Sequence, residues 1–244
     1  MPSGGHQVLI NCYGCGGTYG NVIMQAFAQG CGGEFVEGAF PKYRPGIQVV
    51  WGLMRGAQQV IEEAMSRGDG WFYMDHGYFG RGHPDGYYRV TRNGWQKTVI
   101  EDRPPDRFRK LGLTILPYRT GKSIIMVPPS ATVRAVMGAY WPPTLDTTRP
   151  LHVSRKDGKP WYEKFKSAYM VVTYNSIAAV EAVLRGTPVM TTGQSAAQMF
   201  SSKDIESPMI AEDREQWAWS LAYGQFTLDE LRDGTAWRIL SASS

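Results

Sequence analysis

Three cysteines and four histidines in 244 residues leave little material for disulfides or metal centres. The odd cysteine count excludes a fully paired disulfide framework. Cys12 and Cys15 have the C-x-x-C spacing of a zinc half-site or a redox pair, but no second such pair follows and His6 is the one nearby imidazole, so free thiols in a reducing compartment are expected. Long apolar runs are missing as well. No stretch approaches the roughly eighteen uninterrupted apolar residues that a membrane-spanning helix needs. The opening residues MPSGGHQVLI carry no basic-then-apolar leader, because the first apolar run is already a strand, and a cytoplasmic protein is expected. Internal repeats, low-complexity tracts and linker runs are also absent, which excludes solenoids and disordered tails.

A complete phosphate loop is the next absence. Residues 7–13 read as a first strand, the turn Gly14-Cys15-Gly16-Gly17-Thr18-Tyr19-Gly20 follows, and Asn21 opens a helix through Val22, Ile23, Gln25, Ala26 and Phe27. Gly14 and Gly16 fit the first two positions of G-x-G-x-x-G, but Tyr19 occupies the third, the last glycine comes one residue late and there is no Walker lysine. Glu34 follows at about the distance of a ribose-binding acid. With the glycine spacing broken, a nicotinamide or flavin cofactor is not expected. The turn reads either as a close-approach loop, with Gly16, Gly17 and Tyr19 against a ligand, or as a tight turn packing helix on strand.

What is present is α/β alternation with a core of ample apolar content, 43% of the chain. The fullest unit is Tyr169 to Thr192. Met170 to Thr173 form the apolar, β-branched run of a strand buried on both faces, and Tyr174, Asn175 and Ser176 supply turn and N-cap. Ile177, Val180, Val183 and Leu184 recur at helical spacing, Gly186 stops the helix, and Val189-Met190 begins a second parallel strand after Pro188. A helix starting at the carboxyl end of such a strand directs unpaired N–H groups outward, so Asn175 and Ser176 suit a phosphate. Ser176 as a plain cap and Glu181 as a solvated face residue are the competing reading.

This segment resembles the donor-nucleotide half of GT-B glycosyltransferases, closest to capsule-polysaccharide-type transferases and uncharacterised phage-borne relatives. The resemblance rests on Ser176, Glu181, Ala182, Val183, Gly186, Pro188 and Val189 in a Ser-x-x-x-x-Glu-Ala-Leu/Val-x-Gly-x-Pro-Val pattern. It implies a compact α/β fold of two small Rossmann-like halves facing a cleft, and transfer of a sugar from a nucleotide-sugar to an acceptor hydroxyl. The nucleotide-sugar is then a co-substrate and no cofactor is implied, nor is a metal, since no DxD-like motif occurs. In that resemblance Ser176 meets the donor phosphates and Glu181 the ribose. Ser130, after the strand Ser123 to Val127, borders the donor site. Arg155 and Lys156, closing a strand from Leu151, face the diphosphate.

The domains expected are 1–116, an N-terminal acceptor half with an appended basic ribbon, 117–225, a donor half, and 226–244, a closing helix across both. In the first of these, Ile47 to Val50 form a strand, Gly56 to Arg67 an amphipathic helix, and Trp71 to Met74 a buried strand ending at Asp75-His76. A carboxylate and an imidazole at a strand's carboxyl end sit where open α/β sheets bind ligands, so Asp75 or His76 is the expected base, with Tyr78 and Arg81 in the loop beyond. Asp75 as a turn cap is the plainer alternative.

Residues 87–122 hold nine of the chain's basic residues against Glu101, Asp102 and Asp106, with Tyr87, Tyr88, Trp95 and Phe108 interleaved. That pattern suits an anionic polymer, with Arg107 and Arg109 on phosphates, or a plain solvated face. DNA enters as partner through the phage-borne resemblance, with a hydroxymethylated viral base as acceptor. An epimerase or hydrolase on the same fold, a capsule-type transferase using a nucleoside monophosphate sugar, and a non-catalytic nucleic-acid-binding protein are the other classes left open.

Overall fold

The computed structural model describes residues 9–80, 85–154, 161–211 and 213–242. In chain order the first elements are β1 (Ile10–Tyr13), α1 (Thr18–Cys31), β2 (Glu34–Val36), β3 (Ile47–Trp51), α2 (Ala57–Arg67), β4 (Trp71–His76) and β5 (Tyr88–Arg92). They are followed by α3 (Asp106–Lys110), β6 (Ser123–Val127), α4 (Ala131–Met137), β7 (Leu151–Val153), α5 (Trp161–Lys164), β8 (Ala168–Thr173), α6 (Ala178–Leu184), β9 (Val189–Thr191) and α7 (Glu215–Ala222). The closing elements are β10 (Gln225–Phe226), α8 (Leu228–Arg232) and α9 (Thr235–Ala242). The chain divides into two compact units, Met1–Trp95 with Gly224–Ser244, and Gln96–Tyr223.

The first unit is a six-stranded sheet in the order β10-β5-β4-β3-β1-β2. β1 to β4 run parallel, β5 pairs antiparallel with β4, and β10 pairs antiparallel with β5. Period-two alternation sorts the side chains onto two faces. Cys12, Val49, Phe72 and Met74 pack with Ile23, Met24 and Phe27 of α1 and with Leu231 of α8, whereas Tyr13, Val50, Trp71 and Tyr73 pack with Val60, Ile61 and Ala64 of α2. Both long helices stop at a glycine in the left-handed region, Gly32 at φ 68° and Gly68 at φ 74°. Gln48, fully buried in this sheet, is satisfied by Tyr13 Oη at 2.8 Å and the Arg44 carbonyl at 2.7 Å.

The second unit is an all-parallel sheet in the order β7-β6-β8-β9. β8 is buried along its whole length, as its unbroken apolar run requires. Arg214 locks α6 in place. Its guanidinium donates to the carbonyl of Val183 at 2.6 Å and of Leu116 at 2.8 Å, a cation closing a helix C-terminus while pinning the segment that leads into β6. Gly186, at φ 69°, lies directly against the Pro117 carbonyl, where no side chain fits.

Several expectations shift. The first helix begins at Thr18, inside the glycine turn, and Asn21 lies within it; with its amide oriented to donate, Asn21 reaches the carbonyls of Gly14 at 3.0 Å and Gly17 at 3.2 Å. The expected appended ribbon is not a separate hairpin. β5 pairs back onto β4 and onto β10, and Asn93, at φ 51°, instead holds the start of β4 by bonds to the Trp71 backbone. The division between units falls after Trp95 and not at 116, because the chain beyond it is anchored in the second unit, where Gln216 bonds the carbonyls of Glu101 and Arg103. Trp217 and Leu221 belong to α7 of the second unit, while the last segment joins the first, with Trp237 edge-on to Phe27 and Phe72. The Thr227–Glu230 capping box is formed in both directions, at 3.3 and 2.9 Å.

Candidate functional site

In the second unit β6 is followed in sequence by β7 on one flank and by β8 on the other, so the carboxyl ends of β6 and β8 form the switch point where open α/β sheets take ligands. Ser130 and the Tyr174-Asn175-Ser176 turn are the segments that leave those two strand ends. The strand ends are joined by Thr173, whose hydroxyl donates to the Val127 carbonyl at 2.9 Å. Ser130 caps α4, accepting from Val133 N at 3.2 Å, while Ser176 stands one residue before the N-cap Ile177 of α6 and accepts from Ala178 N at 3.2 Å, and each hydroxyl keeps its proton to donate. Asn175 directs its amide to Met137 of α4. Glu181 is half-buried one turn into α6, so it is not a freely solvated face residue. Arg155 and Lys156 lie outside the described residues. One residue of this rim had no sequence signal: Gln96 is 6% exposed and donates to the Asn175 carbonyl at 3.4 Å.

The first unit has its own switch point, between β1 and β3, and its carboxyl edge carries Asp75 and His76. Asp75 is fully engaged. Its Oδ1 accepts from the His76 backbone N–H at 2.7 Å, and its Oδ2 accepts from Arg89 Nη2 at 2.8 Å and from Tyr73 Oη at 2.9 Å. Burial acts to raise its pKa, but the Arg89 charge and these hydrogen bonds outweigh it and hold Asp75 below the usual carboxylate range. Such a carboxylate is a weak base. His76 next to it is exposed and lies in an aromatic wall, stacked on Tyr19 at 5.9 Å and 22° and edge-on to Trp51 at 5.5 Å. Tyr88 completes the wall, its hydroxyl 3.2 Å from that of Tyr19.

The glycine turn serves packing first. A methyl group at Gly14 would overlap the Asn21 side chain, and one at Gly20 would fall 2.8 Å from Trp51. Gly16 is exposed at φ 69° against Ala39, and Gly17 faces the guanidinium of Arg55, a residue the sequence pattern did not single out. Tyr19 belongs to the aromatic wall, whereas Tyr78, expected to contact an acceptor, is 1% exposed and packs on Phe79 and Arg89. Arg81 lies outside the described residues.

The basic segment is not one surface. Arg89 is buried in the first unit, Lys97 and Arg103 are both paired with Glu101, and Arg107 donates to the Ala222 carbonyl at 3.1 Å and lies over Tyr223. Arg109 is exposed. Sequence counting misses this because Glu101 takes two cations at once, while the groups that hold Arg89 and Arg107, Asp75 and the Ala222 carbonyl, lie outside the segment.

Cys12 and Cys15 lie in the opposite core layers of the first sheet, and burial pushes the Cys15 thiol up to about 11. Among the described residues no group of three or more His, Cys, Asp or Glu side chains could hold a metal ion, and no helix is long and apolar enough to cross a membrane.

No protein-family model and no curated protein sequence matches the chain. Solved structures do. The KpsC beta Kdo 2,7 transferase of Thermosulfurimonas dismutans superposes with a TM-score of 0.52 at 13% identity, over 97% of this chain and 100% of that one. The two chains share a Rossmann-like α/β fold. The beta Kdo 2,4 transferase of the same organism's KpsC aligns over 91% of this chain and 92% of its own, at 10% identity and a TM-score of 0.48.

Proposed function

We propose that this chain is a sugar transferase that takes a nucleotide-activated donor at the β6/β8 switch point of the second unit, and, as a separate assignment within the first unit, that His76 is the base for a saccharide acceptor hydroxyl. The observation that carries the reading is the polar rim at the β6/β8 switch point, where the Asn175-Ser176 turn leaves one strand, Ser130 follows the other, and Glu181 stands one helical turn on. In this assignment Asn175 and Ser176 hold phosphate oxygens, Glu181 takes ribose hydroxyls, and Arg155 and Lys156 add positive charge against the departing phosphate. A fold shared over nearly the full chain with a beta Kdo 2,7 transferase supports a transferase of the capsule type.

The step is a displacement. His76 accepts the proton of the acceptor hydroxyl, the acceptor oxygen bonds to the anomeric carbon, and the bond from that carbon to the donor phosphate breaks, its electron pair leaving on phosphate. Asp75 acts as holder of His76 and not as the base, because its oxygens already accept from His76 N–H, Tyr73 and Arg89, and the Arg89 charge lowers its basicity.

For the acceptor, a saccharide is favoured over a hydroxymethylated base of viral DNA. Arg107 is occupied by the Ala222 carbonyl and Tyr78 is buried, so two of the residues expected to meet such an acceptor are withdrawn from it. The test is nucleotide release from a panel of nucleoside mono- and diphosphate sugars, with and without saccharide acceptors. Acceptor-dependent release that falls about a hundred- to ten-thousandfold in His76→Gln, with donor affinity retained, is expected. Release that needs no acceptor would make the protein a hydrolase, and full activity in His76→Gln would remove His76 as the base.

A further inference from the structure

His76 ends β4 opposite Tyr88, and Asp75 stands opposite Arg89 on the neighbouring antiparallel strand. This pair takes both main-chain polar groups of His76. Its N–H donates to Asp75 Oδ1 at 2.7 Å, and its carbonyl accepts from Arg89 Nη1 at 2.9 Å. Arg89 Nη2 then bonds Asp75 Oδ2 at 2.8 Å, which closes a ring of hydrogen bonds around the His76 backbone. The Arg89 side chain is 5% exposed and lies 5.7 Å from the centres of both the Tyr73 and Tyr78 rings, so it has little room to adopt another rotamer.

Ending a strand does not require this. Taking a guanidinium and a carboxylate out of water costs more than a turn with its polar groups in solvent, and such pairs are weak evidence for stability alone. What the pair supplies is placement, since the planar guanidinium presents N–H groups in a fixed fork that a lysine cannot reproduce.

We infer that Arg89 is the positioning residue of His76: through the His76 carbonyl and Asp75 it fixes the end of β4, and thereby holds the imidazole against Tyr19 and Trp51 where a base is needed. The inference rests on the reading of His76 as base, but the place of the ring can be measured without any reaction.

The chain has four histidines, so its imidazole signals are few and His76→Gln assigns the one in question by loss. In the wild-type protein the His76 ring protons are expected upfield of free histidine, shifted by the Tyr19 and Trp51 rings, and Arg89 is expected to show separate, slowly exchanging Nη protons in a ¹⁵N spectrum. In Arg89→Lys the His76 signals move toward free histidine while methyl dispersion is kept, and kcat falls about 10- to 100-fold with the donor KM unchanged, as displacement of a reacting group does. A folded Arg89→Lys protein with unmoved His76 signals overturns the inference. Should that variant fail to fold, the wild-type protein decides: averaged Arg89 Nη protons overturn the inference, and separate ones support it. Loss of all transferase activity in every assay would sink the function proposed above while leaving the ring-placement result as measured.

Discussion

Asp75 ties the chemistry of the first unit to its stability. Its folded-state pKa lies below the ordinary value, chiefly because the Arg89 charge and the bonds from His76 N–H and Tyr73 overcome the effect of burial. A carboxyl with a depressed folded pKa contributes stability that is fully present above its unfolded pKa and is lost as pH falls through the folded one. Unfolding midpoints should therefore hold steady down to the ordinary carboxylate range and drop below it. Asp75→Asn should flatten that drop and lower stability at pH 7 by about 3 kcal/mol, the low end for breaking a buried pair, because the Asp75 side chain keeps 30% exposure. Denaturant titrations of both proteins from neutral to acid pH measure this, and an equal acid dependence in the two would remove Asp75 as its source. At this scale the sequence showed which residues were chemical but not how they divide the work. Asp75 and His76 were equal candidates until the neighbouring strand put Arg89, thirteen or fourteen residues on in the chain, beside them. Tyr78 and Arg107 looked available for the converse reason, since burial and a carbonyl 115 residues away are invisible in a local pattern.

Elements were legible wherever an apolar run, a cap and a stop coincided. β8, α6 and β9 follow from the buried run, Ser176 and Gly186 in sequence, and β4 and β6 from apolar runs that end at polar or proline residues. The short strands β2 and β10 went unseen, because three and two residues carry no periodicity and are strands by pairing alone. Asn93-Gly94 has the chemistry of a hairpin turn, but the partner strand β4 precedes it in the chain, which turn chemistry cannot specify. Gly186 tests how tightly the α6 unit is built. It needs a left-handed backbone and lies against the Pro117 carbonyl, so Gly186→Ala combines strain with overlap and should cost at least about 2 kcal/mol. Gly32→Ala, with a similar φ and open space around it, should cost less. Comparable midpoints for the two variants would show that Pro117 gives way freely.

For the molecule as a whole, the two sheets and the switch points of their parallel strands account for where chemistry-bearing residues gather, and charge accounts for what does not gather. The formal net charge of +4 is modest, and three cations of the basic segment, Lys97, Arg103 and Arg107, are paired or bonded within their own unit. Binding of duplex or single-stranded DNA should accordingly be weak with a shallow salt dependence, and Arg109→Ala with Lys110→Ala should change it little. A steep fall in DNA affinity with added salt, reduced by those two substitutions, would restore the viral-DNA acceptor.

The most direct test of the transferase reading is thermal stability against a panel of nucleotides and nucleotide sugars. A ligand at a hundred times its dissociation constant stabilises by about 2.7 kcal/mol through mass action, enough to move a midpoint by several degrees. At least one nucleotide is expected to raise the midpoint of the wild-type protein, and Glu181→Ala, folded and with its own midpoint near wild type, is expected to lose that increase. No shift with any nucleotide at millimolar concentration, or an undiminished shift in Glu181→Ala, would contradict the assignment of the β8–α6 turn as the donor site.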